Sequence, residues 1–226
     1  VSTAPSAESG TGPDSNTGAS VYMTTQGGED TTEAVSESGA FLGVESSLVH
    51  RVPGGATIHF LDYPFTDPDA TFSDHRDTVQ EHRPALTVAP DVERGRTLSE
   101  VIEQADKLSA HAGAVIIVPK SVHPSEVPDR FRVGVPAANY GTSGPWTTWD
   151  YRDCGPVHIL GGPPSRQLEI GQHLPVASVD TATLGQRCRF GMWDGGAVHA
   201  PDGMDYKQRL RASLDNYASV WGGDDE

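Results

Sequence analysis

Three aspartates stand where short apolar runs end. Asp62 follows Thr57–Leu61 (TIHFL), Asp91 follows Ala85–Ala89 (ALTVA) and one proline, and Asp180 follows Val176–Val179. Each suits a different task. An ionised carboxylate can attack carbon and form a covalent glycosyl or acyl intermediate. A second can pass protons to and from a leaving group. A third, acceptor-only when ionised, suits a purine edge that presents adjacent N–H donors. Asp180 is the leading candidate for the nucleophile. The plainer alternative is structural: Asp91 leading into a helix cap, Asp62 holding the turn at Tyr63–Pro64.

Carboxylates at strand ends do chemistry together only if the strands are parallel and converge, as in α/β barrels. The segment Val157–Thr181 reads as a strand (Val157–Leu160), a two-glycine turn, a short amphipathic helix and a second strand. Similar alternation runs through much of the chain. Leu48–Val52, Thr57–Leu61, Ala85–Ala89, Ala114–Val118 and Phe131–Val135 are expected strands. Asp69–Arg83 has helical character. Thr97–Ala112 is the clearest helix, with Thr97 and Glu100 spaced as a capping box. Asp205–Trp221 closes the chain as a helix with Tyr206, Leu210, Leu214, Tyr217 and Val220 on one face. Six or seven strands alternating with helices predict a compact or incomplete (β/α)8 TIM-like barrel. A doubly wound open sheet is the alternative, though no GxGxxG or GxxxxGK[ST] fingerprint supports a nucleotide-binding version.

Residues 1–40 are rich in Ser, Thr, Gly and acidic residues and hold no Lys or Arg. They are expected to be a disordered tail. Residues 41–221 form the expected barrel, and 222–226 a short acidic tail. The 226-residue chain carries a formal net charge of −15, and its only lysines are Lys107, Lys120 and Lys207. That balance suits solubility in very high salt; an ordinary acidic cytosolic protein is the alternative. Cys154 and Cys188 make neither a disulfide framework nor a multi-cysteine zinc site. With no long apolar span or basic leader, a cytoplasmic location and no membrane partner are expected.

The stretch HILGGPPSRQLEIGQHLPVASVD resembles the segment of tRNA-guanine transglycosylases that ends in the nucleophilic aspartate. FLDYPF, TVAPDV, VIIVPK and VGVPAANYG resemble, in order, further strand ends of that family over roughly residues 48–195. The resemblance implies Asp180 as nucleophile, Asp62 as second catalytic aspartate and Asp91 as base reader. Lys120 stands where the family has Gln, and Gly134, Gly161 and Gly162 fall in base-contacting loops. Tyr63, Phe65 or Tyr140 can stack on the base. The family's zinc ligands are absent, with only Cys188 and His199 in that region, so no metal or other cofactor is expected. The shortness and acidity are similar to compact DpdA-like DNA 7-deazaguanine transglycosylases of haloarchaea and their viruses. The implied partners are DNA first, tRNA second, and a 7-deazaguanine base. The alternative is a catalytically degenerate barrel serving as a binding or virion module.

Arg94, Arg166, Arg187 and Arg189, with Arg96, Arg130 and Arg132, fall in or near loops and are candidate phosphate contacts; pairing with surface carboxylates is the alternative. The nine histidines form no compact ligand pattern. Most, including His158 inside its strand, are expected to be packed or at the surface. The glycines at 161–162 ahead of a helix also fit a phosphate cradle in an unrelated barrel enzyme.

Overall fold

A computed structural model of the chain describes residues 18–93, 95–137, 145–188, 192–193, 197–198 and 203–222. Eight parallel strands close into a barrel in sequence order: β1 (Ser20–Thr25), β2 (Phe41–Glu45), β3 (Phe60–Asp62), β4 (Leu86–Val88), β5 (Ala114–Ile117), β6 (Arg132–Pro136), β7 (Val157–Leu160) and β8 (Val176–Thr181). Closure falls between β8 and β1, where Tyr22 pairs with Asp180. The fold is therefore a complete TIM-like barrel, and the open-sheet alternative is excluded.

Period-two alternation divides the strand residues into two cores. Val21, Met23, Leu42, Val44, Leu61, Ile117, Val133, Ile159 and Val179 face the surrounding helices. Tyr22, Phe60, Leu86, Val88, Ile116 and Val118 fill the barrel itself. Two glycines make room there. A Cβ on Gly43 would come within 2.8 Å of the Phe60 ring, and one on Gly134 within 2.6 Å of the Leu160 side chain.

Helices cover only some of the connections. α1 (Glu29–Ser36) follows β1, α2 (Phe72–His82) follows β3, α3 (Leu98–Ser109) follows β4, and α4 (Pro164–Gly171) follows β7. After β8 come α5 (Thr183–Arg187), a two-stranded antiparallel pair (β9, Met192–Trp193; β10, Ala197–Val198) and α6 (Tyr206–Trp221). The connections after β2 and β5 carry short 3-10 turns, at Ser46–Arg51 and Pro124–Glu126, and a third lies at Thr148–Tyr151 between β6 and β7. Short 3-10 segments in place of full helices shorten these connections. Thr97 does cap α3 reciprocally with Glu100.

Three expectations are corrected. The tail does not reach residue 40, because Ser20–Thr25 is a barrel strand and Glu29–Ser36 a helix. Within a Ser/Thr/Gly-rich context, the alternating Val21 and Met23 are enough to bury one face against α6, and Ala19 N–H donates to the Trp221 carbonyl at 2.8 Å. Leu48–Val52 is not a strand but lies largely in the 3-10 turn after β2. Val220 is 55% exposed, off the buried face of α6 that carries Leu210, Leu214 and Tyr217.

Candidate active site at the barrel mouth

The C-terminal ends of the strands surround a pocket of about 350 Å³. Asp62, Asp91 and Asp180 all line it, together with Lys120, Phe65 and Gly161. Strand register explains the convergence: Asp62 ends β3, Asp180 lies one residue from the end of β8, and Asp91 and Lys120 sit just beyond β4 and β5.

Asp180 is 5% exposed and held from three directions. Its Oδ1 accepts from the Gly161 backbone N–H at 3.0 Å and lies 3.1 Å from His158 Nε2. Its Oδ2 accepts from Thr24 Oγ1 at 3.0 Å. Below it, fully buried His158 places Nδ1 2.7 Å from Ser178 Oγ, which Arg132 Nη1 approaches at 2.8 Å. Burial pushes the His158 pKa down, against the pull of the Asp180 carboxylate. The backbone is clamped as well. Buried Gln167 of α4 donates through Nε2 to the carbonyls of Gly161 and Asp180, both at 2.6 Å, and accepts from the Tyr217 hydroxyl of α6.

Asp62 is held differently. Its Oδ1 accepts from the Tyr63 backbone N–H at 2.9 Å. Burial raises its pKa well above the usual carboxylate range, and the charges of Asp180, Glu45 and Asp91 add to the rise. Glu45, paired beside it in register, is occupied by Ser47 and Thr66 hydroxyls, the shortest contacts being 2.7 Å. Asp62 is thus a carboxyl whose burial and acidic neighbours raise its proton affinity, the kind of perturbation that suits a proton-transfer group.

Asp91 is 3% exposed and forms an ion pair with Lys120. Burial nonetheless raises the Asp91 pKa, with Lys120 opposing. The two expected base-contacting residues therefore engage each other. Lys120 Nζ also lies 5.7 Å from the centroid of the Phe65 ring, which is 47% exposed at the pocket.

Other expected residues lie elsewhere. Tyr63 is buried against His75 and Phe65. Gly134 is inside the barrel beneath Leu160 and is not a pocket wall; Pro136 is the β6 residue that lines it. Gly162, at φ +79°, allows close approach to the Ala137 backbone, where a Cβ would meet atoms at 2.8 Å. At the expected phosphate cradle the Gly161 N–H donates to Asp180, and Pro163 and Pro164 have no N–H to offer. Arg166 pairs with Glu169 at 2.6 Å and lines a neighbouring cleft of about 500 Å³ with Trp146, Trp149 and His173. Arg187 is exposed at the end of α5, away from the pocket lining. Arg130 pairs with Asp106, and Arg132 lies inside the barrel wall, not in a loop. Arg94, Arg189, Tyr140 and His199 lie outside the described residues.

The sequence reading missed Thr24, Ser178 and the position of His158. The usable signal was parity: His158 and Leu160, like Ser178 and Asp180, share the inward face of adjacent strands. Among the described residues, no group of three or more His, Cys, Asp or Glu is placed to hold a metal ion. No described helix is long and apolar enough to cross a membrane.

Fold and site define a TIM-like α/β barrel with a carboxylate-lined pocket at its C-terminal mouth. The architecture is similar to the X-ray crystal structure of the YdjI aldolase from Escherichia coli K12, with a TM-score of 0.56 and 12% identity over 92% of this chain and 93% of that one. At that identity the likeness establishes the fold alone. The chain belongs to a family of unknown function (DUF6610), whose sequence model matches residues 35–222. A search of curated protein sequences finds no match.

Proposed function

We propose that the chain is a base-exchange transglycosylase that replaces guanine with a 7-deazaguanine derivative in DNA, or in tRNA. The observation that carries this reading is the convergence in one pocket of Asp180, surrounded by donors, and Asp62, whose pKa is raised by burial and by neighbouring carboxyls. An Asp180 oxygen attacks C1′ as the bond from C1′ to guanine N9 breaks. Protonated Asp62 supplies a proton to the leaving base. The incoming 7-deazaguanine loses its N9 proton to the Asp62 carboxylate and takes C1′ from the Asp180 ester, which restores both groups. Phe65 offers an exposed ring for stacking, and Gly161 lets the base approach the backbone. A base in a duplex must first be flipped out, at a cost of a few kcal/mol. The charge of −15 opposes polyanion binding at low salt, so the reaction is expected to favour high salt, where the Debye length is about 3 Å at 1 M.

The Asp91–Lys120 ion pair favours a second reading, a barrel that binds without turnover, since it occupies the carboxylate expected to read the base. Incubation with DNA or tRNA and labelled guanine or 7-deazaguanine at high salt separates the two. Label entering the polymer with wild-type protein, and not with Asp180→Asn, supports exchange. Retention of a polymer or base without label transfer supports the binding module.

A further inference from the structure

Arg132 opens β6 at the end of the barrel opposite the pocket, and Pro136, four residues on, lines the mouth. Between them lies about 13 Å of strand. Arg132, Ser178, His158 and Asp180 bridge that depth as one hydrogen-bonded chain with links of 2.8, 2.7 and 3.1 Å.

The direction of the chain follows from donor counting. A guanidinium has donors only, so Arg132 donates to Ser178 Oγ. Ser178 has a single hydroxyl proton and is fully buried. Among the described residues its hydroxyl meets Arg132 and the His158 ring. If His158 Nδ1 carried a proton, Ser178 would accept twice and its own proton would lack an acceptor, which is costly in a buried site. Ser178 therefore donates to Nδ1. The ring proton is left on Nε2, where it meets Asp180 Oδ1. A doubly protonated ring meets the same obstacle at Ser178; burial and, to a smaller degree, Arg132 also oppose its charge, while the Asp180 carboxylate favours it. The charged or titratable groups facing the ring are Arg132 on β6, Asp180 on β8 and the Tyr22 ring on β1, 6.3 Å away by centroids.

We propose that Arg132 and Ser178 are positioning residues that lock His158 as the neutral Nε2–H tautomer. So locked, the ring can only donate to Asp180, and it fixes the orientation of that carboxylate. The lock also sorts the two carboxylate oxygens. Oδ1 is taken by His158 and Gly161, whereas among the described residues Oδ2 meets only the Thr24 hydroxyl, so Oδ2 is the attacking atom. The tautomer rests on geometry alone; the role of Oδ2 rests on the proposed transfer reaction.

The test is ¹⁵N NMR of histidine-labelled full-length protein, with the His158 signals assigned by their loss in His158→Gln. The expected result is an unprotonated Nδ1 and a protonated Nε2 throughout about pH 5–8, the range in which free imidazole changes charge. A proton on Nδ1, alone or together with Nε2, overturns the proposal in the wild-type protein without any variant. In Ser178→Ala the two ring nitrogens should begin to share the proton. The ¹³C signal of the Asp180 carboxyl should shift as its hydrogen bond from the ring weakens. Ser178→Thr, which keeps the hydroxyl, should restore both signals. An unchanged ring and an unchanged Asp180 in Ser178→Ala would refute the lock. Wild-type protein that shows the expected tautomer and exchanges no label removes the transfer reaction and its attacking atom, and leaves the tautomer lock established.

Discussion

The two sides of the barrel mouth hold their carboxylates in opposite ways. On the β7–β8–β1 side, Asp180 is met by a backbone amide, a ring nitrogen and a hydroxyl, and its main chain is clamped by Gln167. On the β3–β4–β5 side, Asp62 has, among the described residues, one backbone amide and three acidic neighbours, and Asp91 depends on Lys120. Hydrogen bonds to the charged form favour ionisation, while desolvation and like charges oppose it. One fold thus surrounds one carboxyl with donors and another with acidic neighbours that raise its proton affinity, the contrast on which the proposed division of roles rests.

The largest effect should come from the donor-rich side. Asp180→Asn keeps the shape and removes the attacking oxygen, so exchange should fall by a factor on the order of 10⁴ or more, with little change in fold by circular dichroism. Substantial exchange in this variant would move the nucleophile elsewhere and end the division between the two sides.

Asp62→Asn should cost less, about 10²–10⁴-fold. It should also change the pH profile. A protonated Asp62 is present below its raised pKa and disappears as pH climbs through it, so the wild-type rate should fall on that limb. The variant should lose the limb. Stability gives the same sign by another route. The fold disfavours ionised Asp62, a cost that is absent in acid and grows as pH rises from the ordinary carboxylate range to the raised value. Asp62→Asn should therefore raise Tm near neutral pH and leave it unchanged in acid. A lower Tm at neutral pH would mean that Asp62 is held ionised.

Gln167→Leu probes the clamp behind Asp180. It deletes two donors to buried carbonyls and leaves the Tyr217 hydroxyl without its Gln167 acceptor. The expected loss is about 2–4 kcal/mol in denaturant unfolding. A loss below about 0.5 kcal/mol would show that the donor-rich side is not held from behind. Its counterpart across the mouth is Lys120→Met. This strands Asp91 in a 3% exposed position, but the lysine side chain is itself 24% exposed. A smaller loss of about 1–3 kcal/mol is expected. It should shrink as pH falls, because protonation relieves the unpaired carboxylate.

How much of this contrast could be read from the residues depended on the kind of signal. Strand ends and the convergence of Asp62, Asp91 and Asp180 were legible, because apolar runs that stop at a charged residue mark both burial and its end. β1 was not legible. Val21, Tyr22 and Met23 are flanked by Ser, Thr and Gly, and an average over residues 1–40 hides three apolar positions whose burial depends on closing the barrel against β8 and β2. Thr24 was lost with that strand. The relay below Asp180 was hidden for another reason. Ser178 and His158 become partners through strand register, with β7 and β8 pairing His158 to Ser178 across a local irregularity. Gly134 misled because glycine next to a strand end suits ligand approach and tight packing equally; here the neighbours are Leu160, Ile116 and Val118.

The smallest expected effect lies at Phe65, and it bears most directly on what the looser side is for. The ring is 47% exposed, touches Tyr63 at a centroid distance of 5.0 Å and has Lys120 Nζ 5.7 Å away. Little area is recovered by removing it, and an exposed cation–π contact contributes only about 0.5–1 kcal/mol. Phe65→Ala should therefore change stability by no more than about 1 kcal/mol. If the ring stacks on the base in the ground state and the transition state alike, KM for the base should rise several-fold while kcat holds. A fall in kcat at constant KM would instead place Phe65 in the alignment of the reacting atoms. An unchanged KM and kcat would confine the ring to shielding the Asp91–Lys120 pair. The β3–β5 side would then be a wall that tunes charge, and recognition of the base would have to come from the Gly161 side of the same pocket.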